Sequence, residues 1–172
     1  EAWAKAAIIG AAGVSASVVE GLEKAGAIAR IERPPPPIAL PPDPDADPAV
    51  LSPEQAGALA QLRQMPVDQY GVALLDGVTG AGKTAVFFEA VADTIRAGRQ
   101  ALVLLPEIAL TSTFVERFTR RFGTRPAEWH SDMTPAQRMR TWRAVLNGEV
   151  RAVLGARSAL FLPFHELGLI VL

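Results

Sequence analysis

The chain has 172 residues, 49% of them hydrophobic and 20% charged, with a formal net charge of −1 and no cysteine. That length suffices for one buried core with a small module beside it, and the lack of cysteine excludes disulfides and thiolate-held zinc. Every apolar stretch is broken by Gly, Pro or charge short of the roughly 18 residues that span a bilayer, and no basic-then-apolar start resembles a signal peptide, so a cytoplasmic protein without membrane partners is expected.

In chain order, the first expected element is a helix with Ala4, Ala7 and Ile8 on one side, followed by the turn "GAAGVS". Ser15 is placed to cap a second helix, whose apolar face carries Val18, Val19 and Leu22 and which Gly26 stops. "AIARIER" alternates as a short strand. Helix, turn, helix, strand is the order of a winged-helix or helix-turn-helix DNA-binding unit over 1–33, with a plain helical hairpin as the alternative. The thin core of so short a unit suggests that part of it lies upstream of Glu1. Nine of the 14 prolines then fall between Pro34 and Pro53. Fixed φ and missing donors predict an extended, semi-rigid linker over 34–50.

Residues 51–172 alternate strand-like and helix-like segments, which predicts an α/β fold: a RecA-like parallel sheet with helices on both faces. "GVALLD" reads as the first strand and "QALVLLP" as the second. The helix between them sets Phe88, Val91 and Ile95 on one face and ends at Gly98. From about Glu107, Leu110, Phe114, Phe118 and Phe122 recur every four residues, a helix ended by Gly123. "AEWH" reads as a third strand. Thr134, Pro135 and Gln137 supply a cap, a first-turn proline and a capping-box partner for a helix with Met139, Trp142 and Leu146 inward. "EVRAVLG" is a further strand, "ARSALFLPFHE" a loop and "LGLIVL" a last strand.

Between the first strand and its helix stands "GVTGAGKT", residues 77–84. Gly77, Gly80, Gly82, Lys83 and Thr84 fill every fixed position of the G-x-x-x-x-G-K-[ST] phosphate loop. The glycines let the backbone amides of Val78, Thr79, Gly80, Ala81 and Gly82 turn toward phosphate oxygens at a helix N-terminus. Lys83 adds a full charge, and the Thr84 hydroxyl suits Mg²⁺, which prefers oxygen ligands. ATP with Mg²⁺ is the expected cofactor. Upstream, Gln55 fits two roles. It closes a capping box with Ser52, and an amide shortly before a phosphate loop suits the edge of adenine.

Charge is unevenly divided. Residues 1–33 carry four bases and four acids, whereas 113–172 carry nine Arg against five acids, including Arg117, Arg120, Arg121, Arg125, Arg138, Arg140 and Arg143. This is a nucleic-acid footprint or a solvated face.

Taken together, "LLDGVTGAGKT", "GRQALVLLPEIALT", "RFG" before "HSDMT", and "GARSALFLPFHELGLIV" resemble the first lobe of the bacterial replication-restart DNA helicases, the PriA family of superfamily 2. The resemblance runs from about Leu51 to Leu172, with the winged-helix-like unit and proline linker in the same order. It implies ATP-driven 3′ to 5′ movement on DNA, with forked and single-stranded DNA, primosome proteins and single-strand-binding proteins as partners. It also implies phosphate and magnesium roles for Lys83 and Thr84, the adenine role for Gln55, and DNA contacts at "PEIALT" through Glu107 and Thr111 and at Arg157 and Ser158.

Three positions depart from that pattern: Ala81 replaces Ser, Ala85 replaces Glu, and Ala156 replaces Thr. The family's last strand runs into Asp-Glu-Glu-His, whereas "LGLIVL" ends the sequence. A fragment is therefore expected that binds ATP without turning it over, its catalytic acids, second lobe and zinc region lying elsewhere. Another superfamily 2 DNA translocase, or a non-catalytic nucleotide-dependent DNA-binding module, is the alternative. Arg157 could also cap its strand or pair with Glu166.

Overall fold

A computed structural model describes residues 2–31, 36–67, 69–106 and 112–172. The chain divides into two compact units, Glu1–Pro36 and Pro37–Leu172.

In the first unit, α1 (Lys5–Ala12) ends at Gly13, whose φ of 61° is left-handed, and α2 (Ala16–Lys24) follows at once. Lys5 and Glu20 join the helices by a 2.7 Å ion pair. Of the expected α2 face only Val19 is buried, while Val18 and Leu22 are exposed. Ser15 sits at the N-cap position, but its hydroxyl meets that of Ser17 at 2.8 Å and no helix amide. Residues 27–31 form no strand. A strand exists only through a ladder, and no second strand is found in this unit among the described residues.

The second unit contains α3 (Pro53–Arg63), α4 (Lys83–Arg96), β1 (Gln100–Leu104), α5 (Ser112–Phe122), β2 (Ala127–Trp129), α6 (Pro135–Leu146), β3 (Ala152–Gly155) and β4 (Leu167–Val171). A 3₁₀ turn, Arg157–Phe161, occupies part of the expected loop after β3. The four strands are parallel in the order β2-β3-β1-β4.

The pleat sorts the core. Ala101, Val103, Ala152 and Leu154 point to one face and meet Phe88 and Val91 of α4 and Phe118 and Phe122 of α5. Their neighbours Leu102, Leu104 and Val153 point to the other and meet Ala144 and Val145 of α6. Strands covered on both faces read as continuous apolar runs, which is why "QALVL" is buried throughout. Gln100, its one polar member, spends its amide on the carbonyls of Val145 and Val150 and accepts from the amides of His165 and Glu166. This satisfies a buried polar group and ties the starts of β1, β3 and β4 together.

In the second unit, three further sequence expectations change. "GVALLD" forms no strand: residues 71–76 have no ladder, with Val72 76% and Leu74 91% exposed. On α6 the buried positions are Thr141, Ala144 and Val145, whereas Met139, Trp142 and Leu146 are exposed. The physical reason is size, because small residues let a helix approach a sheet closely and alanine is as apolar as the face requires.

The third change concerns the proline tract, which belongs from Pro37 onward to the second unit. The Asp43 amide donates to the Phe122 carbonyl at 3.0 Å, and Arg121 donates to the Pro44 carbonyl at 2.9 Å. Asp45 pairs with Arg96 at 2.6 Å, and the Ala49 amide donates to Glu89 at 3.0 Å. A tract poor in donors of its own is pinned by side chains from α4 and α5. The helix expected from Glu107 is seen as α5 from Ser112, since 107–111 lie outside the described residues.

Candidate nucleotide-binding site

The site begins where an exposed segment turns into α4. Asp76 accepts from the Gly77 amide at 2.8 Å and so bends the chain into the loop. Gly80 and Gly82 have φ of 87° and 73°, a region that L side chains enter only with strain. Gly82 is also the N-cap of α4. A Cβ there would meet the amide end of Gln55, a flexible side chain that can shift, so it is the backbone conformation that demands glycine.

Lys83, the first residue of α4, folds its side chain back over the loop and donates to the carbonyls of Gly77 at 2.5 Å and Val78 at 3.2 Å. The ammonium is thus held inside the loop by carbonyl dipoles alone. A phosphate offers it a full opposite charge instead, and charge-assisted hydrogen bonds are roughly twice as strong as neutral ones.

Gln55 joins two structures. Its Oε1 accepts from the Ser52 amide at 2.9 Å, and its backbone N–H donates to Ser52 Oγ at 3.3 Å, completing the capping box of α3. Its Nε2 donates to the Ala81 carbonyl at 2.9 Å. The capping reading is therefore realised, and the same side chain tethers the phosphate loop to α3. One N–H and one lone pair of the amide remain.

Residues 79–84 line a cavity of about 430 Å³ with Arg117 of α5. Its wall carries two cationic side chains, the Thr84 hydroxyl and no carboxylate. This donor set, at the N-terminus of a helix of 14 residues, fits a polyphosphate. Arg117 is the residue that sequence reasoning missed here. It was visible only as one arginine among nine in the last third, because bringing α5 beside the loop is a tertiary event.

The other expected residues lie apart. Arg157 and Ser158 open the exposed 3₁₀ turn after β3. Arg157 has no ion-pair or hydrogen-bond partner among the described residues, so the expected pairing with Glu166 does not form. Glu107 and Thr111 lie outside the described residues. Leu104 pairs with Gly155 across the sheet, so the chain leaves β1 and β3 at the same edge. In open parallel sheets, ligands bind at that carboxyl edge.

A phosphate loop feeding a helix packed on a parallel sheet defines a P-loop nucleotide-binding α/β protein. The chain belongs to the DEAD/DEAH box helicase family, whose model matches residues 52–172. Among curated proteins it is similar to the replication restart protein PriA of Rickettsia typhi, 50% identical over 99 residues, or 58% of this chain and 15% of that one. The PriA of Bacillus subtilis is 41% identical over 127 residues, covering 73% of this chain and 16% of that one. That of Synechocystis is 40% identical over 159 residues, covering 92% and 19%. The chain thus spans less than a fifth of the length of these relatives. No single helix among the described residues is long and apolar enough to cross a membrane.

Proposed function

We propose that the chain is the ATP-binding lobe of a DNA helicase that acts in replication restart in the cytoplasm, moving 3′ to 5′ on single-stranded DNA with forked DNA as its substrate. The observation that carries this is the loop itself: left-handed glycines at 80 and 82, Lys83 at the head of α4, and a carboxylate-free cavity against them. ATP would be held by the amides of 77–82, with Lys83 on its outer phosphates and Gln55 presenting its remaining amide valences to adenine. Thr84 supplies the protein hydroxyl for Mg²⁺, whose chemistry is to neutralise charge on the transferred phosphate. The 14 residues of α4 add the positive end of their dipole at the same point.

DNA binding is supported by similarity to the three restart proteins and by the surplus of arginine in 113–172. The exposed, unpaired Arg157 beside Ser158 is placed to meet a phosphate backbone, which suits a motor indifferent to sequence. The two-helix unit at the N-terminus is assigned the role of a winged-helix-like accessory. Primosome and single-strand-binding proteins are the partners this reading implies.

Titration of the purified chain with a fluorescent ATP analogue and Mg²⁺ tests the central claim. Binding is expected in the wild-type chain and its loss in Lys83→Ala, with an unchanged melting temperature. Equal binding by both proteins would refute the site. For DNA, Arg157→Ala is expected to weaken single-strand binding and to flatten the slope of log affinity against log salt by about 0.7, one phosphate contact's worth. An unchanged slope would remove Arg157 from the interface.

A further inference from the structure

We infer that Arg117 contacts the terminal phosphate of the bound nucleoside triphosphate, so that the chain carries its own second cation for that phosphate in addition to Lys83. The inference rests on the nucleotide site proposed above and adds a residue from outside the phosphate loop.

Arg117 lines the same cavity as residues 79–84 but comes from α5. Its guanidinium has no hydrogen-bond or ion-pair partner among the described residues, in contrast to Arg63, Arg96, Arg121 and Arg125, each of which is paired with a carboxylate. An exposed arginine free of carboxylates, lining the same cavity as the phosphate loop and its lysine, has a planar fork to offer to oxyanions. The cavity's own chemistry thus selects a phosphate as its partner.

The position of α5 is fixed by the element that carries the loop. Phe88 on α4 sits edge-on to Phe114, Phe118 and Phe122 of α5, with ring centroids 5.6, 5.8 and 5.7 Å apart. Phe87 stacks on Phe114 at 6.2 Å. Phe87 and Phe88 lie within two turns of Lys83 on α4, Phe114 and Phe118 bracket Arg117 on α5, and offset and edge-on aromatic pairs have defined geometry. Burying Phe118 and Phe122 completely leaves Arg117, one residue before Phe118, on the side of α5 that meets the loop.

The choice of the terminal phosphate follows from the division of labour in the loop. In a phosphate loop the backbone amides cradle the inner phosphates and the lysine reaches toward the outer ones, so the outermost phosphate carries the most charge and draws on the fewest donors of the loop besides Lys83. Loss of one charge-assisted contact at such a site corresponds to about a tenfold change in affinity.

The test is a set of titrations of the full chain with Mg²⁺ and either a non-hydrolysable ATP analogue or ADP, comparing wild type, Arg117→Ala, Arg117→Lys and Lys83→Ala. Arg117→Ala is expected to weaken the triphosphate about tenfold and ADP less than twofold, with Arg117→Lys recovering part of the loss and melting temperatures unchanged. An Arg117→Ala chain with wild-type affinity for the triphosphate, beside a Lys83→Ala chain that has lost it, would overturn this inference and leave the nucleotide site standing. Equal losses for ADP and triphosphate would overturn the assignment to the terminal phosphate. A wild-type chain that binds neither nucleotide would refute both the site and the inference.

Discussion

Two stretches of this chain are almost interchangeable on paper: "VALLD" at 72–76 and "QALVL" at 100–104. The second is the central strand β1, buried along its whole length between β3 and β4. The first runs exposed into the phosphate loop, with no strand beside it among the described residues. Apolar composition alone therefore does not make a strand. β1 has a parallel ladder on each side and helices on both faces, so its amides are satisfied and its side chains leave water together. Residues 72–76 lead to a loop whose own bonds, from the Gly77 amide to the Asp76 carboxylate and from Lys83 to the Gly77 and Val78 carbonyls, fix the chain locally instead.

The contrast can be broken most forcefully at a charge. Glu89 of α4 is buried with Arg121 of α5 in a 2.7 Å pair and also accepts from the Ala49 amide. Glu89→Ala would strand a buried guanidinium whose Nη1 already lacks a partner. Losses of this type are about 3–5 kcal/mol, and urea denaturation of the two chains measures this one. A change below about 1 kcal/mol would mean that Arg121 escapes to water.

Leu102→Ala comes next, since Leu102 is fully buried in β1, and a loss of about 2–5 kcal/mol is expected from the emptied volume. The matching change on the exposed stretch, Leu74→Ala, is expected to stay within about 0.5 kcal/mol. Comparable losses for the two leucines would show that 72–76 packs in solution as β1 does.

The same buried pair gives a pH signature. Burial pushes Glu89 up, but the hydrogen bonds from Arg121 and the Ala49 amide outweigh it and hold its pKa below the ordinary 4.5. A carboxylate with a lowered folded pKa stabilises fully above its unfolded value, and the gain is lost as pH falls through the folded value. Stability is therefore expected to drop below about pH 4.5 in wild type and to drop less steeply in Glu89→Gln. Parallel profiles from thermal melts would contradict this.

The smallest effect is expected on α6. Trp142→Ser, at an exposed position, should change stability by no more than about 0.5 kcal/mol, whereas bulk introduced at buried Ala144 should cost about 1–3 kcal/mol by overpacking.

The sequence by itself determined a good deal. The phosphate loop is legible because its glycines answer local backbone demands, φ of 87° and 73°, and Lys83 and Thr84 follow at fixed spacing. The capping boxes at Ser52–Gln55 and Thr134–Gln137 formed as spacing requires, for the same reason. The alternation of helix and strand from α4 onward was equally readable from periodicity.

Tertiary structure decided the rest. It set whether 71–76 found a ladder, which stripe of α6 faced the sheet, and whether the proline tract stood free or lay along α4 and α5. It also brought Arg117 to the loop and joined Gln55 to Ala81. Each depends on which surfaces meet, and contact between residues distant in sequence leaves no periodic or local mark in the chain.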